Sequence, residues 1–325
     1  MVTKAIRVHE LGGPEVLRWQ DIDVGEPQAG EVRVRHTAIG LNFIDVYFRQ
    51  GTYPSPQMPF VPGMEAAGTV EAVGPDVTAV KVGDRVAYGR DKGAYAEQRL
   101  LPADRLVVIP NNVDDQTAAA MMLKGMTARY LLRSCYHVKP GDTILFHAAA
   151  GGVGLIACQW AKHLGATVIG TVSSEAKAKL AADHGCDHPI IYAKEDFVER
   201  VREITKGEGL PVVYDSVGKD TFMRSLDCLR PFGCMVSFGQ SSGAVPPLDI
   251  GVLSQKGSLF LTRPTLMTYA AKREDFVAMA QDLFDVVGTG AVRIEVNQTY
   301  PLSAAAEAHR ALEARETTGS TVLIP

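Results

Sequence analysis

No run of apolar residues in this chain is long enough to cross a bilayer, so a membrane-spanning helix is not expected. The N-terminal stretch Met1-Val2-Thr3-Lys4-Ala5-Ile6-Arg7-Val8 reads as a first strand and lacks the apolar core of a secretory signal. Cysteine is scarce. The five present are an odd number without framework spacing, which argues against a disulfide scaffold and for reduced thiols in a cytosolic protein. Excess positive charge is lacking too: 33 Lys and Arg face 37 Asp and Glu, for a net charge of −4. Without a basic, aromatic-rich stripe, nucleic acid is not expected as the main partner. The chain has no low-complexity segment and no internal repeat, and neither a nucleophilic triad nor a Gly-x-Ser-x-Gly elbow is expected in it.

What is present suits a globular protein of more than one core. The chain has 325 residues, 46% of them hydrophobic, and this length favours two domains. The first 124 residues are β-rich, with glycine and proline turns at short intervals. Glu31–Ala38, Gly68–Gly74 and Val80–Ala87 alternate apolar and polar residues, as half-exposed strands do. A barrel-like or sandwich domain is expected there.

From Gly125 the rhythm becomes strand, helix, strand, helix. Candidate strands are Thr143–Ala148, Thr167–Val172, Pro189–Tyr192, Val212–Asp215, Met235–Phe238 and Leu259–Thr262. Helices are expected between most of them, including Ala176–His184, Asp196–Thr205 and Thr221–Leu229. This alternation predicts an α/β fold with a doubly wound parallel sheet. After Arg263 the pattern is helical and returns to a strand at Thr321–Ile324.

The run Phe146-His147-Ala148-Ala149-Ala150-Gly151-Gly152-Val153-Gly154 carries most of the functional information. It follows the apolar Thr143-Ile144-Leu145 and leads into Leu155–Ala161, which has helical spacing. A strand, a small-residue turn and a helix in that order form a dinucleotide site. The backbone approaches the pyrophosphate closely, and the helix N-terminus offers unpaired N–H groups. Ala148 stands where the nominal fingerprint has its first glycine, followed by Gly151 and Gly154. Gly151, Gly152 and Val153 are therefore cofactor-binding candidates.

This organisation resembles the medium-chain dehydrogenase/reductase superfamily. Gly40–Tyr47, Gly63-Met64-Glu65-Ala66-Ala67-Gly68, the glycine run above and Tyr214-Asp215-Ser216-Val217-Gly218 are similar to the zinc-independent NADPH:quinone oxidoreductases of the zeta-crystallin type. The likeness covers essentially the whole chain. It implies a catalytic GroES-like β-rich domain over 1–124, a Rossmann domain over 125–262 and a C-terminal segment, 263–325, packing back on the catalytic domain. It also implies an active site in the cleft between the domains and a homodimer joined largely through the nucleotide domains.

Zinc alcohol dehydrogenases of the superfamily carry cysteine where this chain has Asn42 and histidine where it has Met64. Catalytic zinc needs about three protein ligands, so no metal is expected. Cys135, Cys158, Cys186, Cys228 and Cys234 never approach Cys-x-x-Cys spacing, so a structural zinc lobe is not expected either. Without a Lewis acid, oxidation of an alcohol is disfavoured. Reduction of an electron-poor quinone or activated enone remains open, helped by orientation, a dry site and hydrogen bonds.

An NAD site has an acid about 20 residues beyond the glycines, on the ribose hydroxyl. Here that strand ends in Thr171-Val172-Ser173-Ser174 with no acid, and Glu175 falls into the next helix. Ser173, Ser174 and Lys177 suit a 2′-phosphate, and the resemblance puts Tyr192 near it. NADPH is the expected cofactor.

Asn42, Asp45, Tyr47 and Tyr53 cluster in one short segment. By resemblance Asn42 touches the cofactor and Tyr47 lies near the substrate; Asp45, in the same cluster, is a further cofactor-binding candidate. Tyr53 sits in a Gly51-Thr52-Tyr53-Pro54 turn, where a surface packing role stays open. Thr127 and Tyr130 match family positions near the cofactor, with helix packing as the alternative. Phe238, Gly239 and Ser241 end one strand, and Arg263, Pro264 and Thr265 follow the next. Strand C-terminal ends face ligands in such sheets. Ser216 and Val217, within the matching Tyr214–Gly218 motif, are cofactor candidates by resemblance. Asn42, Tyr47, Tyr53 and Arg263 are the catalytic candidates. His147 and Asp215 read as structural. Two alternatives stay open: an enone or alkenal double-bond reductase, and a non-catalytic NADPH-binding protein of the crystallin or RNA-binding kind.

Overall fold

Alternating apolar residues in the N-terminal third give strands with one buried face. In the computed structural model, which describes residues 1–54 and 57–325, β1 (Val2–Val8) pairs antiparallel with β2 (Leu17–Asp23). The long strand β3 (Glu31–Leu41) buries Val32, Val34, Ala38 and Ile39. It leads into α1 (Phe43–Gln50), which Gly51 ends in a left-handed conformation at φ 80°. There follow β4 (Glu65–Val73), β5 (Arg85–Tyr88), β6 (Gln98–Pro102) and β7 (Val107–Val108).

One expectation changes here. Of the alternating run Val80–Ala87 only the end is strand. Gly83 turns the chain at φ 91°, and the Lys81 N–H donates to Asp84 Oδ2 at 2.9 Å, so the start of the run is a turn. Thr127 and Tyr130 fall at the end of the 16-residue helix α2 (Asp115–Tyr130).

Next come β8 (Thr143–Phe146), α3 (Gly152–His163), β9 (Thr167–Val172), α4 (Glu175–Asp183), β10 (His188–Ile191) and α5 (Phe197–Ile204). Then β11 (Leu210–Asp215), the short α6 (Phe222–Leu226), β12 (Leu229–Ser237), α7 (Gly251–Gln255) and β13 (Phe260–Thr262). These strands form one all-parallel sheet in the order β10-β9-β8-β11-β12-β13. Near-continuous apolar strands such as β11, buried at every position, are what a parallel sheet covered on both faces requires.

The tail holds α8 (Leu266–Tyr269), α9 (Arg273–Gly288), β14 (Val296–Pro301), α10 (Ala305–Glu313) and β15 (Ser320–Ile324). β15 pairs antiparallel with β3 and parallel with β14, a strand the sequence pattern did not reveal. The second sheet therefore runs β14-β15-β3-β4-β5-β7, with β6 also on β3.

The chain divides into two compact units. The first comprises 1–126, 270–288 and 294–325, and the second comprises 127–269 and 289–293. Ile6, Val34, Ile39, Tyr95, Leu101, Leu302 and Leu323 belong to the core of the first. Leu145, Ile169, Phe197, Val213 and Met235 belong to that of the second. Among the described residues no helix is long and apolar enough to cross a membrane.

Candidate active site

In the second unit the chain reverses direction across the sheet between β8 and β11, and ligands of such sheets bind at the strand ends there. The turn after β8 shows why small residues are needed. Ala148 holds φ 55°, in the left-handed region that costs a side chain energy and where the nominal fingerprint has glycine. Its carbonyl accepts the Gly151 N–H at 2.9 Å. A Cβ on Gly154 would lie 2.3 Å from Ala148 O and 2.7 Å from the Ala149 carbonyl carbon. Gly151 is the N-cap of α3, so the first turn of that helix begins at Gly152 and Val153 with unpaired N–H groups.

The other candidates of this unit follow the C-terminal ends of its strands. Ser173 and Ser174 follow β9, and Ser174 caps α4 by accepting the Lys177 N–H at 3.3 Å. Tyr192 follows β10, is half-exposed, and donates its N–H to Val172 O at 3.2 Å. Ser216 and Val217 follow β11, where Asp215 Oδ1 accepts the Val217 and Gly218 N–H groups at 2.7 and 3.0 Å. Phe238, Gly239 and Ser241 follow β12; Phe238 packs on Phe146 with ring centroids 5.5 Å apart. Arg263, Pro264 and Thr265 follow β13, and Arg263 Nη1 donates to Ser237 O at 2.8 Å. Thr127 and Tyr130 lie in the last turn of α2. Tyr130 is buried and stacked flat on Tyr269 at 4.8 Å.

His147 is buried with both ring nitrogens engaged, by Thr171 Oγ1 and Ser225 Oγ at 2.9 Å each. Burial lowers its pKa. Ser225 and Thr221 donate to Asp215 Oδ2, so this group ties three strand ends together. Contrary to the expectation of a chain with no Gly-x-Ser-x-Gly elbow, Gly239-Gln240-Ser241-Ser242-Gly243 has that spacing. It does not lead into a helix as such an elbow does, and His147 serves Thr171 and Ser225 instead.

In the first unit, Asn42, Asp45, Tyr47 and Tyr53 come together at α1. Asn42 is the N-cap, and its N–H donates to Asp45 Oδ2 at 2.9 Å, the return half of a capping box. Tyr47 and Tyr53 pack ring to ring with centroids 5.1 Å apart, and the Tyr53 N–H donates to Tyr47 O. Tyr53 is thereby held against Tyr47.

Around this segment lies a buried polar cluster that the sequence analysis did not assemble. Glu65, fully buried at the start of β4, receives Lys124 Nζ at 2.6 Å, Asn42 Nδ2 at 2.8 Å and the Leu123 N–H at 2.6 Å. Asp45, also fully buried, receives Tyr95 Oη at 3.1 Å. Tyr95 pairs with His309 Nε2 at 3.1 Å, and Arg49 Nη1 donates to His309 Nδ1 at 3.0 Å. Arg49 also binds Glu313 at 2.8 Å. Burial raises the Asp45 pKa to about 7 and lowers that of His309 to about 3. The one sequence signal was the Asn-x-x-Asp spacing before a helix. Glu65, Tyr95 and His309 are far apart in the chain, and no local pattern pairs them.

Two family models match. Residues 28–111 match the alcohol dehydrogenase GroES-like domain, and residues 152–285 match the zinc-binding dehydrogenase domain. The chain is 56% identical to a quinone oxidoreductase of Pseudomonas aeruginosa, with 100% of both chains covered. It is 49% identical to a 2-haloacrylate reductase of a Burkholderia species, covering 100% of this chain and 99% of the relative. The crystal structure of Escherichia coli quinone oxidoreductase complexed with NADPH superposes with a TM-score of 0.97 at 49% identity, covering 99% of this chain and 100% of that one. The zinc that one model's description implies does not fit these residues. Asn42 and Met64 offer no cysteine or histidine, Glu65 is already held by three donors, and among the described residues no three metal-binding side chains gather.

Proposed function

The chain belongs to the quinone oxidoreductases of the medium-chain dehydrogenase/reductase superfamily, and on that premise we propose how its own residues serve NADPH-dependent quinone reduction. The observation that carries the cofactor assignment is the turn Ala148–Gly154, whose close approaches leave no room for a Cβ at Gly154. We assign the N–H groups of Gly151, Gly152 and Val153 to the pyrophosphate. Ser173, Ser174, Lys177 and Tyr192 are assigned to the 2′-phosphate, supported by the lack of an acid at the end of β9. Ser216, Val217, Phe238, Gly239 and Ser241 are assigned to the rest of the cofactor because they follow β11 and β12; Arg263, Pro264 and Thr265 are assigned likewise after β13. Thr127 and Tyr130 are assigned to it from the end of α2.

NADPH, when bound, supplies the hydride. In the first unit, Asn42 is assigned to the cofactor and, with Tyr47 and Tyr53, to the acceptor; Asp45, expected from the sequence at the cofactor, is fully buried behind Asn42 and is assigned to holding that residue's backbone N–H. The paired tyrosine rings offer an apolar surface with phenol donors, which suits a quinone carbonyl. Arg263 is assigned a further role at the acceptor, where a guanidinium stabilises a developing oxyanion.

The likeness to a 2-haloacrylate reductase favours a second reading, reduction of an activated carbon–carbon double bond. Both readings are tested by initial rates of NADPH oxidation with a small para-quinone, with 2-chloroacrylate, and with no enzyme. Saturable quinone turnover supports the first reading, and turnover of the haloacrylate alone replaces it with the second. In the same assay Lys177→Ala is expected to reduce the preference for NADPH over NADH by ~10-fold, the scale of one charged hydrogen bond to phosphate. An unchanged preference removes Lys177 from the phosphate site.

We also propose a homodimer formed through the second unit. β13 is an edge strand, and its Phe260 and Leu261 are 64% and 38% exposed. An apolar, unpaired edge invites a second strand. Phe260→Asp is expected to convert a dimer to a monomer in sedimentation velocity, and a monomeric parent protein at micromolar concentration overturns the assignment. The five free cysteines support a reducing, cytoplasmic setting.

A further inference from the structure

Two buried carboxyl groups hold Asn42 from opposite ends. Glu65 Oε1 takes its side-chain N–H, and Asp45 Oδ2 takes its backbone N–H. Their surroundings differ sharply. Glu65 has three donors, one of them the Lys124 ammonium, so its charge is matched. Asp45 has two neutral donors on Oδ2, while its Oδ1 is buried without any partner.

The direction of the hydrogen bonds reaching Asp45 is fixed by one residue. Arg49 stays protonated and only donates, so His309 Nδ1 must accept from it. The His309 proton is then on Nε2 and is donated to Tyr95 Oη. That leaves the single Tyr95 proton for Asp45 Oδ2. With Oδ2 accepting twice, any proton carried by Asp45 sits on Oδ1. A charged Asp45 would leave a buried, unsolvated oxygen and add a second anion beside Glu65, both costly in a low-dielectric interior.

We propose that Asp45 is a positioning residue that works as the neutral acid, so that Asn42 is clamped between one protonated and one ionised carboxyl group. Its ionisation as pH rises through neutrality loosens the start of α1 and with it Asn42 and Tyr47. The charged and titratable groups facing Asp45 are Glu65 on β4, Lys124 on α2, and Tyr95, with Arg49 on α1 and His309 on α10 behind that tyrosine. Only Glu65 adds negative charge near the carboxyl; the charge of Lys124 opposes it. Burial is the largest influence and moves Asp45 up to about 7, which agrees with the geometry. The folded protein therefore holds a proton that the unfolded chain releases near 3.8. This contribution to stability is complete below that value and is lost as pH rises towards 7.

The role in turnover rests on the quinone reductase reading, whereas the protonation state does not. The experiment is infrared spectroscopy of the protein over a range of pH, taken as the difference between the parent and Asp45→Asn, paired with pH profiles of NADPH-dependent quinone turnover. The expected result is a carbonyl band of a buried neutral carboxylic acid that is missing in Asp45→Asn and fades as pH is raised through neutrality. The Asp45→Asn profile, whatever its absolute rate, is expected to lose the alkaline limb. Tyr95→Phe removes a donor to the ionised form and moves the limb to higher pH. Stability of Asp45→Asn relative to the parent is expected to rise between pH 4 and 7, a readout that needs no activity. No band assignable to Asp45 overturns the neutral acid. A band with an unaltered alkaline limb in Asp45→Asn overturns the positioning role. A protein with no quinone turnover fails the functional reading while the infrared and stability results still decide the state of Asp45.

Discussion

Lys124→Met is expected to cost about 3–5 kcal/mol of stability, the range for removing one partner of a buried ion pair. The Glu65 carboxylate is fully buried, and Lys124 is the cation among its donors, at 2.6 Å. Methionine fills similar space but leaves the charge of Glu65 to two N–H groups. The pair is worth far less than its breakage costs, because both charges lose water on folding. Hence the double variant Glu65→Gln with Lys124→Met is expected to regain most of the loss. Urea unfolding of the parent, single and double variants at neutral pH checks this. A single-variant loss below about 1 kcal/mol, the level of an exposed pair, sinks the argument, as does a double variant no better than the single.

Gly154→Val is expected to weaken NADPH binding by ~100-fold or more, equivalent to about 2.7 kcal/mol. Its Cβ alone would meet Ala148 O at 2.3 Å and Ala149 O at 2.7 Å. These are backbone atoms of the turn itself and cannot swing aside as a side-chain tip can. The turn must open, and the α3 N-terminus moves away from where a pyrophosphate is held. Titration by cofactor fluorescence measures the change. Binding within about threefold of the parent, on a scale where tenfold is 1.4 kcal/mol, means that the turn does not hold the cofactor. Circular dichroism of the variant separates loss of the site from loss of the fold.

Much of the second unit was legible because its signals are local. Thr167–Val172 is a strand with the bounds its apolar run suggests, and α4 begins at Glu175, so that acid lies in the helix and not at the end of β9. The glycine turn declares its neighbours within a dozen residues. Less was legible where pairing is distant. β14 has the burial pattern of a half-exposed strand, but its partner β15 lies beyond α10, with Val296 opposite Ser320. Val80–Ala87 alternates like a strand, yet Gly83 and the Asp84 side chain make its first half a turn. Local alternation there lost to turn chemistry.

The sequence by itself determined the α/β class, the dinucleotide turn and the residue types that do not fit zinc, since each depends on neighbours in the chain or on side-chain chemistry alone. Only the tertiary structure decided the state of the charges around Asn42. Asp45, Glu65, Tyr95, Lys124 and His309 come from five separate stretches, and burial among one another gives one carboxyl group a matched charge and leaves the other an oxygen with no donor. Desolvation is a property of the folded interior, so no order of residues along the chain announces it.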